Sequence, residues 1–319
     1  MPLGTDHIIV GEVGNFIPEL WSDEVIAAYK SNLVTAGLVR KLQHRGKKGD
    51  TVRVPTPERG NASEKAAETQ VTLIQHGTDV GLTINIDRHF EYSRLIEDIV
   101  DAQALASLRR FYTDDGGYAI AVQVDSDIIF EMLNQGGATI VGDATQSTVL
   151  NAGTTLPTVY EGDGTAWDQT TSTDITDAGI RCFIRLLDLE DVPFAGRCML
   201  TNPFTKEDLL GIDRFTEEAF VGERGSMNSI RNGLVGDIYG LEVYMTNQLP
   251  IVQDSADGDT SRLNYVFHKD STVLVEQFGV RSQVQYKQEY LADLYTTDML
   301  YGVRNLRDSS IVPFVTPVA

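Results

Sequence analysis

The sequence has few of the residues from which reactive or metal-binding sites are built. Its 319 residues include only two cysteines, five histidines and two tryptophans. Cys182 and Cys198 do not lie at a CxxC-type spacing, so we expect two buried, reduced thiols and no cysteine-built metal site. The histidines are His7, His44, His76, His89 and His268. They form no HExxH motif and no pair at helical spacing, which leaves a histidine-built zinc site with little support.

The sequence also lacks the motifs of several common enzyme classes. It contains no Gly-x-Ser-x-Gly elbow, no GxxxxGK[ST] phosphate loop and no Gly-x-Gly-x-x-Gly turn after a predicted strand. Two acidic turns, around Asp163 and Asp257, depart from the D-x-[DN]-x-[DN]-G calcium loop and are typical of ordinary turns. We therefore expect no enzyme activity, no metal and no cofactor, although a catalytic triad assembled from distant residues stays open.

Basic residues are scarce as well, with 26 Lys and Arg against 46 Asp and Glu and a net charge of −20. Nucleic-acid binding depends on neutralised phosphates, so this charge argues against a net attraction to nucleic acid. The same acidity would suit a wall that faces packed nucleic acid without adhering to it. The sequence has no apolar run of about 18 residues and no signal-peptide pattern, so we expect cytosolic synthesis and no membrane contact.

The remaining composition is that of a globular protein, with 42% hydrophobic and 8% aromatic residues. Residues 93–137 predict two consecutive helices. An apolar stripe through Ile96, Ile99 and Leu108 indicates the first, which ends near Arg110. The second is predicted over 113–134, about 33 Å long, with oxygen caps at its start followed by Gly116 and Gly117.

Two aspartates within the second predicted helix are candidates for a carboxylate pair. Asp125 and Asp127 are two residues apart, so in a helix their side chains point about 200° from one another. That separation is unsuitable for shared acid–base chemistry. We predict a solvated or capping role for both.

Residues 41–88 predict a long two-stranded hairpin. Val52 and Val54 alternate with polar residues on one arm, and Leu82, Ile84 and Ile86 alternate on the other. The stretch between them is polar over 56–69. Because two strands cannot cover their own apolar face, this hairpin is expected to need a partner surface.

A basic cluster lies at the start of this hairpin. Its members are Arg40, Lys41, Arg45, Lys47, Lys48 and Arg53. It suits either a nucleic-acid patch or a loop base that pairs with the acidic surface of a neighbouring copy. We favour the second interpretation, because no aromatic residues alternate with the charges as a single-strand binder would require.

The second half of the sequence predicts a mixed arrangement. Helices are expected over 174–191, 206–211 and 271–277, and strands over 197–204, 234–238, 241–246 and 263–268. Two long strands and a short final strand follow residue 279. With 319 residues, two domains or one domain with large excursions are expected.

The order of these elements resembles that of the tailed-phage major capsid protein family, which has the HK97-type fold. Four passages carry the likeness. EDIVDAQALASLRRFYTDDGGYAIAVQVDSDIIFEML resembles the spine-helix region, VGDIYGLEVYMTNQLP a glycine-turn strand of the axial domain, HKDSTVLVEQF the short helix after it, and LYGVRNLRDSSIV the closing strand. The resemblance implies an α+β fold with an N-terminal arm, an extended β-hairpin loop, a peripheral domain built on the spine helix and an axial domain.

The resemblance also divides the chain. The implied parts are an arm and first helix at 1–40, the extended loop at 41–88, the peripheral domain with its spine helix at 89–149, the axial domain at 150–278, the peripheral long strands at 279–304 and the closing strand at 305–319. Axial domains of the family meet at the five- and six-fold axes, and extended loops lie across the adjacent subunit.

The function that the resemblance implies is that of a major capsid protein. Pentamers and hexamers would form an icosahedral shell around double-stranded DNA, without sequence-specific binding. The implied partners are a scaffolding protein, a portal protein and a decoration protein, and the implied location is the virion capsid, after assembly in the host cytoplasm. The assembly contacts we predict are Arg45, Lys47, Lys48, Arg53, Glu64, Lys65 and Glu68. An encapsulin-type nanocompartment shell, another phage structural protein and a hydrolase remain as alternatives.

Overall fold

In a computed structural model of the protein, the residues described are 34–44, 49–56, 62, 64–65, 67–68, 70, 80–98, 108–135, 158–168, 172–212, 237–253 and 260–318. The helices among them are α1 (Thr35–Leu38), α2 (Leu108–Leu133), α3 (Asp177–Leu189) and α4 (Pro203–Gly211), with a short 3₁₀ helix at Asp308–Ser310. None of these α-helices is both long and apolar enough to span a membrane.

The strands, numbered along the chain, form three sheets. They are β1 (Arg40–Gln43), β2 (Thr51–Thr56), β3 (Val80–Asn85), β4 (Arg88–Glu97), β5 (Tyr160–Glu161), β6 (Arg197–Thr201), β7 (Asp237–Ile238), β8 (Leu241–Met245), β9 (Ile251–Gln253), β10 (Thr260–His268), β11 (Thr272–Lys287), β12 (Ala292–Asn305) and β13 (Ile311–Pro317). The mixture of sheets and helices is the α+β class that the sequence predicts.

A four-stranded sheet with the order β1-β11-β12-β4 supports the long helix α2. β11 and β12 form a long antiparallel ribbon, and β1 pairs in parallel with the inner half of β11, from Val273 to Glu276. Alternate residues of that inner half face opposite ways. Val273 and Val275 contact the root of the β2–β3 hairpin, whereas Leu274 belongs to the core beside α2.

A seven-stranded sheet forms the other half of the body. Its order is β5-β13-β10-β6-β8-β7, with β9 paired to β10. Helix α3 packs its apolar face, including Ile180, Phe183 and Leu187, in a cluster with Phe314 of β13. The side chain of Thr176 caps α3 by accepting a hydrogen bond from the Gly179 N–H, and Asn202 caps α4 in the same way through Thr205.

One apolar core joins the two sheets to α2. Ile128 and Leu133 of the helix share it with Tyr265 and Phe267 of the seven-stranded sheet and with Val303 of the four-stranded sheet. Most of these side chains are fully buried, so the body buries apolar surface as a single unit.

Two of the passages that the chain makes between the two sheets lie at neighbouring points. Residues 269–271 lead from β10 to β11, and residues 306–310 lead from β12 to β13. The Ser271 carbonyl accepts hydrogen bonds from the N–H groups of Leu306 and Arg307, at 2.7 and 3.3 Å. Beside them, the Thr272 hydroxyl donates to the Asn305 amide oxygen at 2.9 Å. The two connections are therefore bonded to each other.

Two predicted helices are strands in the structure. Residues 93–97, expected to begin the first helix of the 93–137 stretch, are the end of β4, which pairs with β12 from Arg88 to Glu97; residues 99–107 lie outside the described residues. Residues 271–277, predicted as a short helix, begin β11, because alternating faces of Thr272–Glu276 are buried against different layers.

The long helix itself is confirmed, but it begins earlier than predicted. It spans Leu108–Leu133, so Gly116 and Gly117 lie inside it and do not loosen its start. A methyl group on Gly116 would lie 2.8 Å from the Tyr92 ring of β4. Glycine at this position thus allows the helix to approach the sheet closely.

Candidate functional site

The β2–β3 hairpin presents the clearest incomplete surface of the described chain. Its strands pair in antiparallel register from Thr51 opposite Asn85 to Thr56 opposite Val80, which confirms the predicted pairing of the two arms. The hairpin forms a two-stranded sheet that hydrogen-bonds to no other described strand. One of its faces is apolar, because the pairs Val52 with Ile84 and Val54 with Leu82 lie on the same side.

Burial decreases along this apolar face from the root outward. Ile84 is completely buried in a cluster with Ile86, Val273 and Val275. Val52 and Val54 pack against the edge of that cluster and are half-buried, as is Leu82 further out. The body thus covers the root of the hairpin and leaves the outer part of its apolar face to other contacts.

The hairpin root lies very close to the four-stranded sheet. A methyl group on Gly302 of β12 would collide with the Asn85 carbonyl oxygen at the end of β3. The Ile86 N–H donates to the Asp50 carbonyl at 2.8 Å, which closes the hairpin at the same level. Glycine at 302 is therefore a condition for the position of the root.

A buried ionic cluster lies directly beyond the root. Arg88, the first residue of β4, places Nη1 3.0 Å from Asp127 Oδ2 and Nη2 3.6 Å from Glu131 Oε2. Asp127 also accepts hydrogen bonds from the Tyr301 hydroxyl at 2.6 Å and from the Gln123 amide at 3.1 Å. Burial raises the pKa of Glu131 above its ordinary value, although hydrogen bonding from Asn134 and the charge of Arg88 oppose the rise.

Asp125 holds a different element on another side of α2. Its carboxylate accepts hydrogen bonds from the backbone N–H groups of Thr35 and Ala36, at 3.3 and 2.8 Å, and so caps α1 from 90 residues away. Burial raises the pKa of this carboxyl, against the lowering effect of those N–H groups. The solvated role predicted for Asp125 and Asp127 is wrong, because each is only 1% exposed. The capping alternative holds for Asp125.

The structure places four of the seven predicted assembly residues. Arg53 is exposed on the polar face of β2, and Glu64, Lys65 and Glu68 are exposed further along the hairpin. Arg45, Lys47 and Lys48 lie outside the described residues. Among the described residues Arg53 makes no ion pair. Their part in assembly stays a prediction.

The described residues contain no group of three or more His, Cys, Asp or Glu side chains arranged to hold a metal. Both cysteines are free thiols. Cys198 is fully buried, and burial raises its pKa to about 11. Cys182 is only half-buried, contrary to the prediction, and its thiol donates to the Gly164 carbonyl at 3.4 Å.

No family model matches the sequence, and no curated protein matches it. Solved structures do match. The capsid structure of cyanophage P-SCSP1u aligns with a TM-score of 0.69 and 18% identity over 96% of this chain and 95% of the other. The chain has the fold of phage capsid proteins.

Two further phage structures match over nearly the whole chain. The structure from Mycobacterium phage Che8 has 22% identity, a TM-score of 0.67 and coverage of 94% of this chain and 97% of the other. The head structure of Helicobacter pylori bacteriophage KHP40 has 11% identity and a TM-score of 0.68, with 99% of both chains covered. The likeness lies in the fold, since the identities are low.

Sequence reasoning located the hairpin but not the groups that hold its root. Arg88, Tyr301 and Gly302 carry no motif, and their partners are distant along the chain. One signal in the sequence indicates this cluster. Asp127 and Glu131 are spaced i, i+4 and therefore share one face of a helix, where their negative charges repel unless a cation lies between them.

Proposed function

We propose that this protein is a major capsid protein of a tailed phage, which assembles through pentamers and hexamers into an icosahedral shell around double-stranded DNA. The observation that carries the proposal is the hairpin's outer apolar face, which a single copy leaves partly uncovered. Because the chain has a capsid fold, contacts between copies would bury the rest of the hairpin's apolar face.

On this proposal the exposed charges of the hairpin contribute to assembly. Arg53 and Lys65, together with Arg45, Lys47 and Lys48, would meet acidic surface on a neighbouring copy, which a chain of net charge −20 supplies in excess. Glu64 and Glu68 would meet basic groups. A scaffolding protein would guide assembly in the host cytoplasm, a portal protein would occupy one vertex, and a decoration protein could cover the finished virion capsid.

Removing the hairpin tip tests the proposal. We expect that deletion of residues 61–68 leaves a folded subunit that fails to build stable shells, because the deleted residues are exposed where described and belong to no described strand. The measurement is negative-stain electron microscopy of purified protein with its scaffold, beside circular dichroism of the subunit. Shells like those of the wild type would contradict the proposal.

A matched pair of point variants sharpens this test. Leu82→Ser removes an apolar side chain from the uncovered face, whereas Thr83→Ser changes the neighbouring residue on the opposite, exposed face. We expect Leu82→Ser to lower the yield of shells and Thr83→Ser to leave it unchanged. The content of the particles then separates a viral capsid, which encloses DNA, from a nanocompartment shell, which encloses protein.

A further inference from the structure

The β2–β3 hairpin has few directional links to the body. Its strands pair with no other described strand, and its root is held by an apolar cluster of Ile84, Ile86, Val273 and Val275. Apolar contact resists separation but is non-directional, so it does not by itself fix the angle of the hairpin. The half-buried Gln277 donates from its side-chain amide to the Gly49 carbonyl at 3.1 Å, which is a single neutral hydrogen bond.

Arg88 supplies a directional link between α2 and β4, the strand into which the hairpin leads. It lies three residues after the last residue of β3 and reaches two carboxylates on successive turns of α2, Asp127 at 3.0 Å and Glu131 at 3.6 Å. Its guanidinium is a planar fork, so the hydrogen-bonded Asp127 and the ion-paired Glu131 on one helix constrain its orientation as well as its position. Both carboxylates are at most 5% exposed, which limits screening by solvent.

The surroundings of the cluster are built to hold this arrangement. Tyr301 donates to Asp127 at 2.6 Å, and the adjacent Gly302 lets the Asn85 carbonyl approach the same strand. Arg304 lies 3.7 Å from the other oxygen of Glu131. The root of the hairpin, β12 at Tyr301 and one face of α2 therefore meet around the Arg88 guanidinium.

We infer that Arg88 is a positioning residue that fixes the direction of the β2–β3 hairpin relative to α2. Its pairing with Asp127 and Glu131 transmits the orientation of the helix to a hairpin whose outer apolar face must meet a neighbouring copy. The inference deepens the proposed function and rests on it for its biological meaning, but the geometry concerns one chain.

The test measures the hairpin's direction in the unassembled subunit. Spin labels on Thr83→Cys of the hairpin and Ser93→Cys of β4, both exposed positions, report the angle as a distance distribution. Cys182→Ser removes the half-buried thiol, and Cys198 stays because it is fully buried. A second label pair, Ser93→Cys with Glu207→Cys on α4, reports the body.

We expect Arg88→Met to broaden the Thr83–Ser93 distribution and leave the Ser93–Glu207 distribution narrow. Arg88→Lys, which reaches one carboxylate at a time, should give an intermediate width. Asp125→Asn is the matched control, because it alters an equally buried carboxylate of α2 that does not contact the hairpin root. It should leave the Thr83–Ser93 distribution unchanged.

Arg88→Met removes the cation beside buried Asp127 and leaves Glu131 with Arg304 at 3.7 Å, so a second variant guards against loss of folding. Asp127→Asn combined with Glu131→Gln removes both charges at constant size and should broaden the same distribution. A narrow, wild-type distribution in this double variant and in Arg88→Lys would overturn the inference. Electron microscopy of the wild type is a separate readout: an absence of shells there would refute the proposed function while the distance measurement still decides the role of Arg88.

Discussion

Three charged or titratable side chains, Asp298, Arg281 and His89, meet on the exposed face of the four-stranded sheet. Arg281 of β11 donates to the Asp298 carboxylate from Nε at 2.8 Å and from Nη2 at 2.6 Å, and His89 of β4 lies 3.0 Å away through Nε2. Hydrogen bonding from Arg281 is the main cause that lowers the pKa of Asp298 to about 2, against the opposing effect of burial.

This depressed pKa predicts a loss of stability in acid. Because the folded pKa lies below the ordinary value of about 3.9, the ionised carboxylate stabilises the fold above about pH 4, and the contribution disappears as the pH falls towards about 2. We expect Asp298→Asn to lower the free energy of unfolding at pH 5 and to have little effect at pH 2. Urea unfolding at the two pH values measures the difference.

Glu91→Gln provides the comparison for this experiment, since Glu91 is exposed and lies directly opposite Asp298 on β4. It should change the unfolding free energy little at either pH. An Asp298→Asn effect of equal size at pH 5 and pH 2 would show that the carboxylate acts through packing and not through its charge.

At this scale the sequence predicted least. Asp125 and Asp127 were correctly judged to point apart, but the partners that explain their burial are the backbone at Thr35 and the hydroxyl of Tyr301, 90 and 174 residues away. Only the tertiary fold brings such groups together. Local spacing therefore indicates which side of a helix a carboxylate occupies and not what it meets there.

Among the elements, α2 shows how two adjacent glycines can have opposite roles. A methyl group on Gly116 would lie 2.8 Å from the Tyr92 ring, whose hydroxyl bonds to Asp115 at 2.8 Å, whereas one on Gly117 would meet nothing within 4 Å. Gly116 is required for close packing. Gly117 is not required for packing, and its only effect is to make the helix less rigid.

Substitution of each glycine by alanine tests this difference. Gly117→Ala should raise the free energy of unfolding by about 0.5–1 kcal/mol, the usual gain inside a helix. Gly116→Ala should lower it, because the cost of overpacking, about 1–3 kcal/mol, exceeds that gain. Chemical denaturation measures both, and equal effects at the two positions would contradict the packing argument.

Helices and strands were predictable to different degrees. The long helix, α3 and the paired arms of the hairpin followed from clear periodicity. An apolar stripe predicts a helix at residues 93–97. However, Phe90, Tyr92 and Ile96 are spaced by even numbers of residues, which places them on one face of a strand. That local pattern is ambiguous at the junction, and pairing with β12 decides it.

The whole molecule carries a charge of −20, which contact between copies would have to overcome on the proposed function. The described basic residues without an ion-pair partner in their own chain are therefore candidates for that purpose. Arg53 is exposed on the hairpin, so Arg53→Glu should leave the free energy of unfolding of the subunit within about 0.5 kcal/mol of the wild type.

Assembly should respond much more strongly to the same change. We expect Arg53→Glu to reduce the fraction of protein in shells, because it adds repulsion at a contact between acidic chains. Arg53→Lys, which keeps the charge, is the control. Size-exclusion chromatography with light scattering measures the assembled fraction, and equal assembly by Arg53→Glu and wild type would exclude Arg53 from the contact.

The order of elements along the whole chain was the most reliable prediction from the sequence. It indicates the capsid fold without the position of any single residue. The pairing of the two sheets was not predictable. It depends on a core shared by α2 and both sheets, and the side chains of that core are ordinary apolar residues with no distinguishing spacing.

The paired crossings between the sheets determine how the body can move. A single connection would allow the sheets to rotate about it. Two connections hydrogen-bonded side by side at Ser271 allow bending about one axis and resist torsion. The shared core opposes even that bend. On the proposed function, copies at pentagonal and hexagonal positions of a shell would therefore keep the same body and the same hairpin root, and the difference in curvature would fall on the contacts between copies.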